Sequence, residues 1–116
     1  MAVKRIVANI QSSCPEQARS FYEDILGMKI VMDHGWILTF ASEQSAPVQV
    51  SIATDGGSGT ALPDLSIEVD NLQEIEERLK VTGITLEYGP VVEPWGVRRF
   101  YVRDPFNRLL NILEHI

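Results

Sequence analysis

Two stretches of this chain repeat one order of hydrophobic and polar positions. Val3 to Ile10, rich in Val and Ile, reads as a strand. Ser13-Cys-Pro-Glu16 reads as a helix start, with Ser13 as N-cap, Pro15 in the first turn and Glu16 completing a capping box. Ala18, Phe21, Tyr22 and Ile25 follow at helical spacing, which predicts a helix from about Pro15 to Leu26 with one apolar face and Gly27 as its left-handed exit. Strands are expected at about Lys29 to Met32, Trp36 to Ala41 and Val48 to Ala53, the first two joined by a turn at Asp33-His-Gly35.

The pattern then restarts. A strand is expected at Asp64 to Val69, and Asp70 or Asn71 caps a helix through about Val81 with Leu72, Ile75 and Leu79 on its apolar face and Gly83 at its end. Further strands read at about Thr85 to Tyr88, Val97 to Arg103 and Leu109 to Glu114. Asp104-Pro-Phe-Asn107 is a turn, because Pro presets its backbone angle and Asn tolerates a left-handed one. Strand, helix and three strands, written twice, make an α+β protein of two βαβββ modules. The boundaries are about 1–54 and 63–116, with a Gly-rich linker at about 55–62, all in one domain spanning 1–116. Each module alone is too small for a stable core, so the two are expected to pair.

Composition narrows the function classes. At 116 residues, 45% hydrophobic and 22% charged, the chain is of globular type. A net charge of -6 argues against general nucleic-acid affinity, which needs a basic face. Arg98, Arg99, Arg103 and Arg108 do cluster, and read as solvated strand edges and turn flanks, with one or two available to a small anionic ligand. No apolar run reaches the roughly 20 residues of a membrane span, and Met1-Ala-Val-Lys-Arg has no signal-peptide core, so a cytoplasmic protein is expected. Cys14 is the only cysteine. Thr54-Asp-Gly-Gly-Ser-Gly-Thr60 lacks the lysine and the following helix of a phosphate loop.

Phe21-Tyr22, Leu26-Gly27-Met28, Asp64-Leu-Ser-Ile-Glu-Val-Asp-Asn71, Gly83 and, above all, Tyr101-Val-Arg-Asp-Pro-Phe-Asn-Arg-Leu-Leu-Asn-Ile-Leu-Glu114 carry a family resemblance. In that order they resemble the vicinal oxygen chelate superfamily of glyoxalase I, extradiol dioxygenases and bleomycin-resistance proteins. The resemblance covers nearly the whole chain. It implies paired modules that bend a mixed sheet into a cup, with helices outside and a ligand inside, and commonly a homodimer. It says far less about activity, since this scaffold hosts lyases, isomerases, dioxygenases and binders.

Strand alternation assigns the faces. Leu65, Ile67, Leu110 and Ile112 belong on the helix side, and the expected cup floor is Val7, Asn9, Gln11, Gln49, Ser51, Asp64, Ser66, Glu68 and Asn111. By resemblance, the metal-dependent members place four His or Glu ligands where this chain has Val7, Ser51, Asp64 and Asn111. Only Asp64 is a charged ligand there, and catalytic sites need three good donors, so neither metal nor other cofactor is expected. His34 and His115 read as solvent-facing.

The candidate ligand contacts are Asn9, Trp36, Gln49, Ser51, Asp64, Ser66, Trp95 and Asn111. Trp36 and Trp95 occupy matching places in the two modules and suit either flat ligand-stacking walls or core and dimer contacts. Glu68 reads first as a carboxylate that ties the floor together and, as the alternative, as the candidate catalytic base. The preferred expectation is a metal-free small-molecule binder that sequesters a planar or cationic ligand. The alternatives are a metal-dependent glyoxalase-like lyase or extradiol-type dioxygenase, and a metal-free acid–base enzyme using Glu68.

Overall fold

The computed structural model describes residue 5 and residues 7–46 and 51–116. The chain divides into two compact units, Met1–Ala53 and Thr54–Ile116. Both are mixed helix and strand.

In the first unit the expected apolar face forms: Ala18, Phe21, Tyr22 and Ile25 are buried. The helix itself is wider than an α-helix. A tight turn at Pro15–Gln17 leads into π-helical geometry over Arg19–Ile25, where the Leu26 amide donates to the Phe21 carbonyl. No capping box forms, because the helix starts one residue later than expected, with Cys14 at its N-cap and no side chain capping it, and the Glu16 carboxylate binds Arg19 instead. Strands β1 (Lys29–Asp33) and β2 (Leu38–Ala41) pair antiparallel, with a bulge between Ile30 and Met32. Tyr22 ties the helix to this ribbon by packing its ring 5.7 Å from that of Phe40.

The flanking strands expected at Val3 to Ile10 and Val48 to Ala53 are corrected where described. Residues 7–10 and 51–53 hold no regular strand. Strand-type residues become a strand only when a neighbour completes the hydrogen-bond ladder, and among the described residues none pairs with them. Residues 3, 4, 6 and 48–50 lie outside the described residues.

The second unit follows the expected order. Strand β3 (Leu65–Glu68) leads into helix α1 (Leu72–Val81), then β4 (Tyr88–Glu93), β5 (Val97–Arg103) and β6 (Leu109–His115). The sheet order is β3-β6-β5-β4, with β3 parallel to β6 and the other pairs antiparallel. Asn71 is the N-cap, its side chain accepting from the Glu74 amide at 3.2 Å, and Gly83 exits at φ +75°. Leu72, Ile75 and Leu79 of α1 are buried, as are Phe100, Val102, Leu110 and Ile112 on alternate positions of β5 and β6. Asp104 Oδ1 accepts from the amides of Phe106 and Arg108, and Asn107 takes the left-handed conformation at φ +63°. That turn aligns β5 with β6 so that Tyr101 faces Asn111.

Candidate functional site

Register across the second sheet assembles a row from four strands: Tyr88 opposite Tyr101, Tyr101 opposite Asn111, and Asn111 opposite Ser66. One step along lies a second row, Val91, Arg99, Leu113 and Glu68. Alternation puts both rows on the face opposite the apolar set.

Three expected site residues therefore share a face. Asn111 donates from Nδ2 to Ser66 Oγ at 3.1 Å. Its Oδ1 is buried and has no hydrogen-bond partner among the described residues, although Asn111 is only 7% exposed. Glu68 ends β3, with its side chain 63% exposed and its Oε2 3.1 Å from His115 Nδ1. Asp64 lies just ahead of β3, where its Oδ2 accepts from the Leu109 amide at 3.0 Å and its own amide donates to the Leu109 carbonyl.

Of the remaining candidates, Asn9 is exposed and its Nδ2 reaches the Val7 carbonyl at 3.5 Å, and Ser51 is exposed. Gln49 lies outside the described residues. Trp36 occupies the β1–β2 turn and Trp95 the β4–β5 turn, so each tryptophan tops the hairpin of its own unit. Trp36 is 77% exposed and Trp95 52%.

A charged and aromatic cluster beside Trp95 was not legible in the chain. Arg99, expected on a solvated edge, is 3% exposed and is corrected to a buried position. Its Nε and Nη2 meet Glu93 Oε2 at 2.7 and 2.6 Å, its Nη1 donates to the Tyr101 hydroxyl at 3.1 Å, and Nη2 donates to the Gly56 carbonyl at 2.9 Å. Its guanidinium carbon stands 5.0 Å from the ring centres of Trp95 and Tyr101 and 5.5 Å from that of Tyr88. Glu93, itself buried, also accepts from Ser58 Oγ at 3.0 Å and from the Tyr88 hydroxyl at 3.1 Å. Burial alone would push the Glu93 carboxyl up. The hydrogen bonds from Arg99, Ser58 and Tyr88 outweigh it and hold the carboxyl below its ordinary range.

The glycine-rich segment expected as a linker folds over this cluster. Asp55 Oδ1 accepts from the Gly57 amide at 2.7 Å, and Thr60 Oγ1 lies 3.0 Å from the Tyr101 hydroxyl, which donates to the Ala61 carbonyl. Gly57, Ser58 and Gly59 all have positive φ, and the loop turns its Gly56 and Gly57 carbonyls toward Arg99. The missed signal is the hairpin Glu93-Pro-Trp-Gly-Val97. Closing it brings position 93 next to 97, within reach of an arginine two residues on.

At the positions where the family resemblance implies metal ligands, Val7 has no donor atom in its side chain, the Asp64 carboxylate accepts from the Leu109 amide, and Asn111 donates from Nδ2 to Ser66 while its Oδ1 stays open. Among the described residues no group of three or more His, Cys, Asp or Glu side chains is placed to hold an ion.

Residues 5–116 match the glyoxalase-like domain family. The chain belongs to that family, within the vicinal oxygen chelate superfamily. No curated protein sequence matches it. Among solved structures, this glyoxalase-like domain is similar to TnmS3, an antibiotic binding protein from Streptomyces sp. CB03234, with a TM-score of 0.68 and 21% identity over 100% of this chain and 97% of that one. It is similar to TioX from Micromonospora sp. ML1, with a TM-score of 0.64 and 17% identity over 96% and 95% of the two chains. It is also similar to a lactoylglutathione lyase from Agrobacterium tumefaciens, with a TM-score of 0.64 and 16% identity over 97% and 92%. At these identities the likeness is one of fold. Among the described residues no helix is long and apolar enough to cross a membrane.

Proposed function

We propose that this glyoxalase-like domain binds and sequesters a planar or cationic small molecule without a metal. What supports this reading is the residue set Val7, Ser51, Asp64 and Asn111, which holds one charged side chain at the places where the family resemblance implies metal ligands. The buried Asn111 Oδ1 adds to it, since an acceptor without a partner destabilises the protein until something donates to it. A ligand N–H or O–H meets that need, Ser66 shares its position, and the half-exposed Trp95 offers a flat surface. Asn9, Trp36, Gln49, Ser51 and Asp64 complete the proposed ligand set. The protein acts as a homodimer in a reducing, cytoplasmic setting, where Cys14 stays a thiol.

The test pairs elemental analysis of the purified protein with thermal-shift titrations of proflavine, a planar cationic dye, and of zinc, nickel and iron salts. The expected result is substoichiometric metal and a melting temperature that proflavine raises by several degrees and the metals do not, because only a ligand of the folded state stabilises it. Stoichiometric metal coupled to turnover of a glutathione hemithioacetal or a catechol sinks the proposal in favour of a lyase or dioxygenase. A second reading, metal-free acid–base chemistry, is favoured by the Glu68–His115 pair. It predicts that Glu68→Gln abolishes turnover of a substrate it still binds.

A further inference from the structure

Arg99 is held by hydrogen bonds and lies near the faces of three aromatic rings. Hydrogen bonds in the plane of the guanidinium reach Glu93, the Tyr101 hydroxyl and the Gly56 carbonyl, while the rings of Trp95, Tyr88 and Tyr101 all lie within cation–π range. A cation pinned by several hydrogen bonds gives a fixed point to a ring whose face it meets. Trp95 has need of that, since it sits on an exposed turn and no hydrogen bond holds its indole among the described residues. Its other near neighbour is Gly57, where a Cβ would stand 2.9 Å from Trp95 Cη2, so the loop approaches the ring edge only because that residue lacks a side chain.

We infer that Arg99 is a positioning residue, which with Glu93 and the Gly56–Gly57 loop sets the plane of Trp95 as a preformed wall for a flat aromatic ligand. The inference rests on the binding reading above for the ligand but not for the geometry. A wall already ordered before binding spares the ligand the entropy of ordering it. The fork, and not the charge, is what does this: lysine at position 99 keeps the charge but presents a point donor that cannot occupy three in-plane partners at once.

The test uses the full chain. In a Trp36→Phe background Trp95 is the only indole, so its emission maximum and its quenching by acrylamide report the wall directly, with folding checked by circular dichroism. Arg99→Lys is expected to red-shift the emission and increase quenching in a folded protein, and Glu93→Gln, which loosens the fork from its far side, to move both in the same direction by less. With Trp36 restored, proflavine affinity is expected to fall roughly tenfold in Arg99→Lys. Unchanged Trp95 emission and quenching in folded Arg99→Lys and Glu93→Gln overturn the inference, whatever proflavine does. If proflavine binds neither parent nor variant while quenching rises as expected, the binding reading fails and the positioning role stands.

Discussion

Glu93 and Asn111 are two buried polar side chains with opposite accounts. The Glu93 carboxylate is satisfied by Arg99, Ser58 and Tyr88, and those bonds lower its pKa in the folded protein against the burial that would raise it. In the unfolded chain it titrates near the usual glutamate value of about 4.3. A group depressed on folding contributes stability that is fully present above the unfolded value and is lost as pH falls through the folded one. Urea unfolding from pH 7 down to pH 2 should therefore show Glu93→Gln less stable at neutral pH. Its decline below about pH 5 should be shallower than that of the parent, and parallel curves would contradict this. Asn111 is the reverse case, with an acceptor left open. Replacing an incompletely bonded buried amide with an apolar side chain removes a desolvation penalty, so Asn111→Leu should leave the melting temperature unchanged or higher while weakening proflavine binding. At this scale residue types were readable and their surroundings were not. Asn111 could be assigned to its face by alternation, but the same rule could not say that Arg99 is buried within cation–π range of three rings.

Among the elements, α1 shows local chemistry and packing acting together. Asn71 caps it, Glu74 pairs with Arg78 at 2.7 Å, and Leu72, Ile75 and Leu79 are buried. Asn71→Ala should cost about 1 kcal/mol, the usual value of an N-cap. Leu79→Ala should cost about 2–5 kcal/mol by opening a cavity, and denaturant titration separates the two. Boundaries were legible where a local signal marks them, as at Asn71, Gly83 and the Asp104–Asn107 turn. They were missed where tertiary pairing sets them. Strand β4 begins at Tyr88, where the expected strand ends, and runs on through Gly89-Pro90. On an edge strand, a register shift between Tyr88 and Val91 accommodates it. In the first unit the apolar stripe of the helix was readable from spacing, whereas its π-helical widening was not. The capping box failed because the helix has its N-cap at Cys14 rather than Ser13 and the Glu16 carboxylate binds Arg19.

For the whole molecule, the repeat, the family motifs and the missing ligands lead to one expectation that can be checked in bulk. Purified protein should carry little divalent metal, and chelation should leave both its melting temperature and its proflavine affinity unchanged. Much of this was legible in the chain. Helical and strand periods depend on neighbours a few residues apart, so the α+β class, the βαβββ order of the second unit and the side of each β3 and β6 residue follow from composition and spacing. That Val7, Ser51, Asp64 and Asn111 include a single charged side chain is likewise a matter of residue identity. What folding alone decided is the cluster around Arg99. Its partners lie as far as 43 residues away in the chain, and only their convergence turns a solvated charge into a buried, hydrogen-bonded one. The glycine-rich segment changed meaning for the same reason. Its composition is that of a linker, and its role against Arg99, Tyr101 and Trp95 depends on the surface it is laid across.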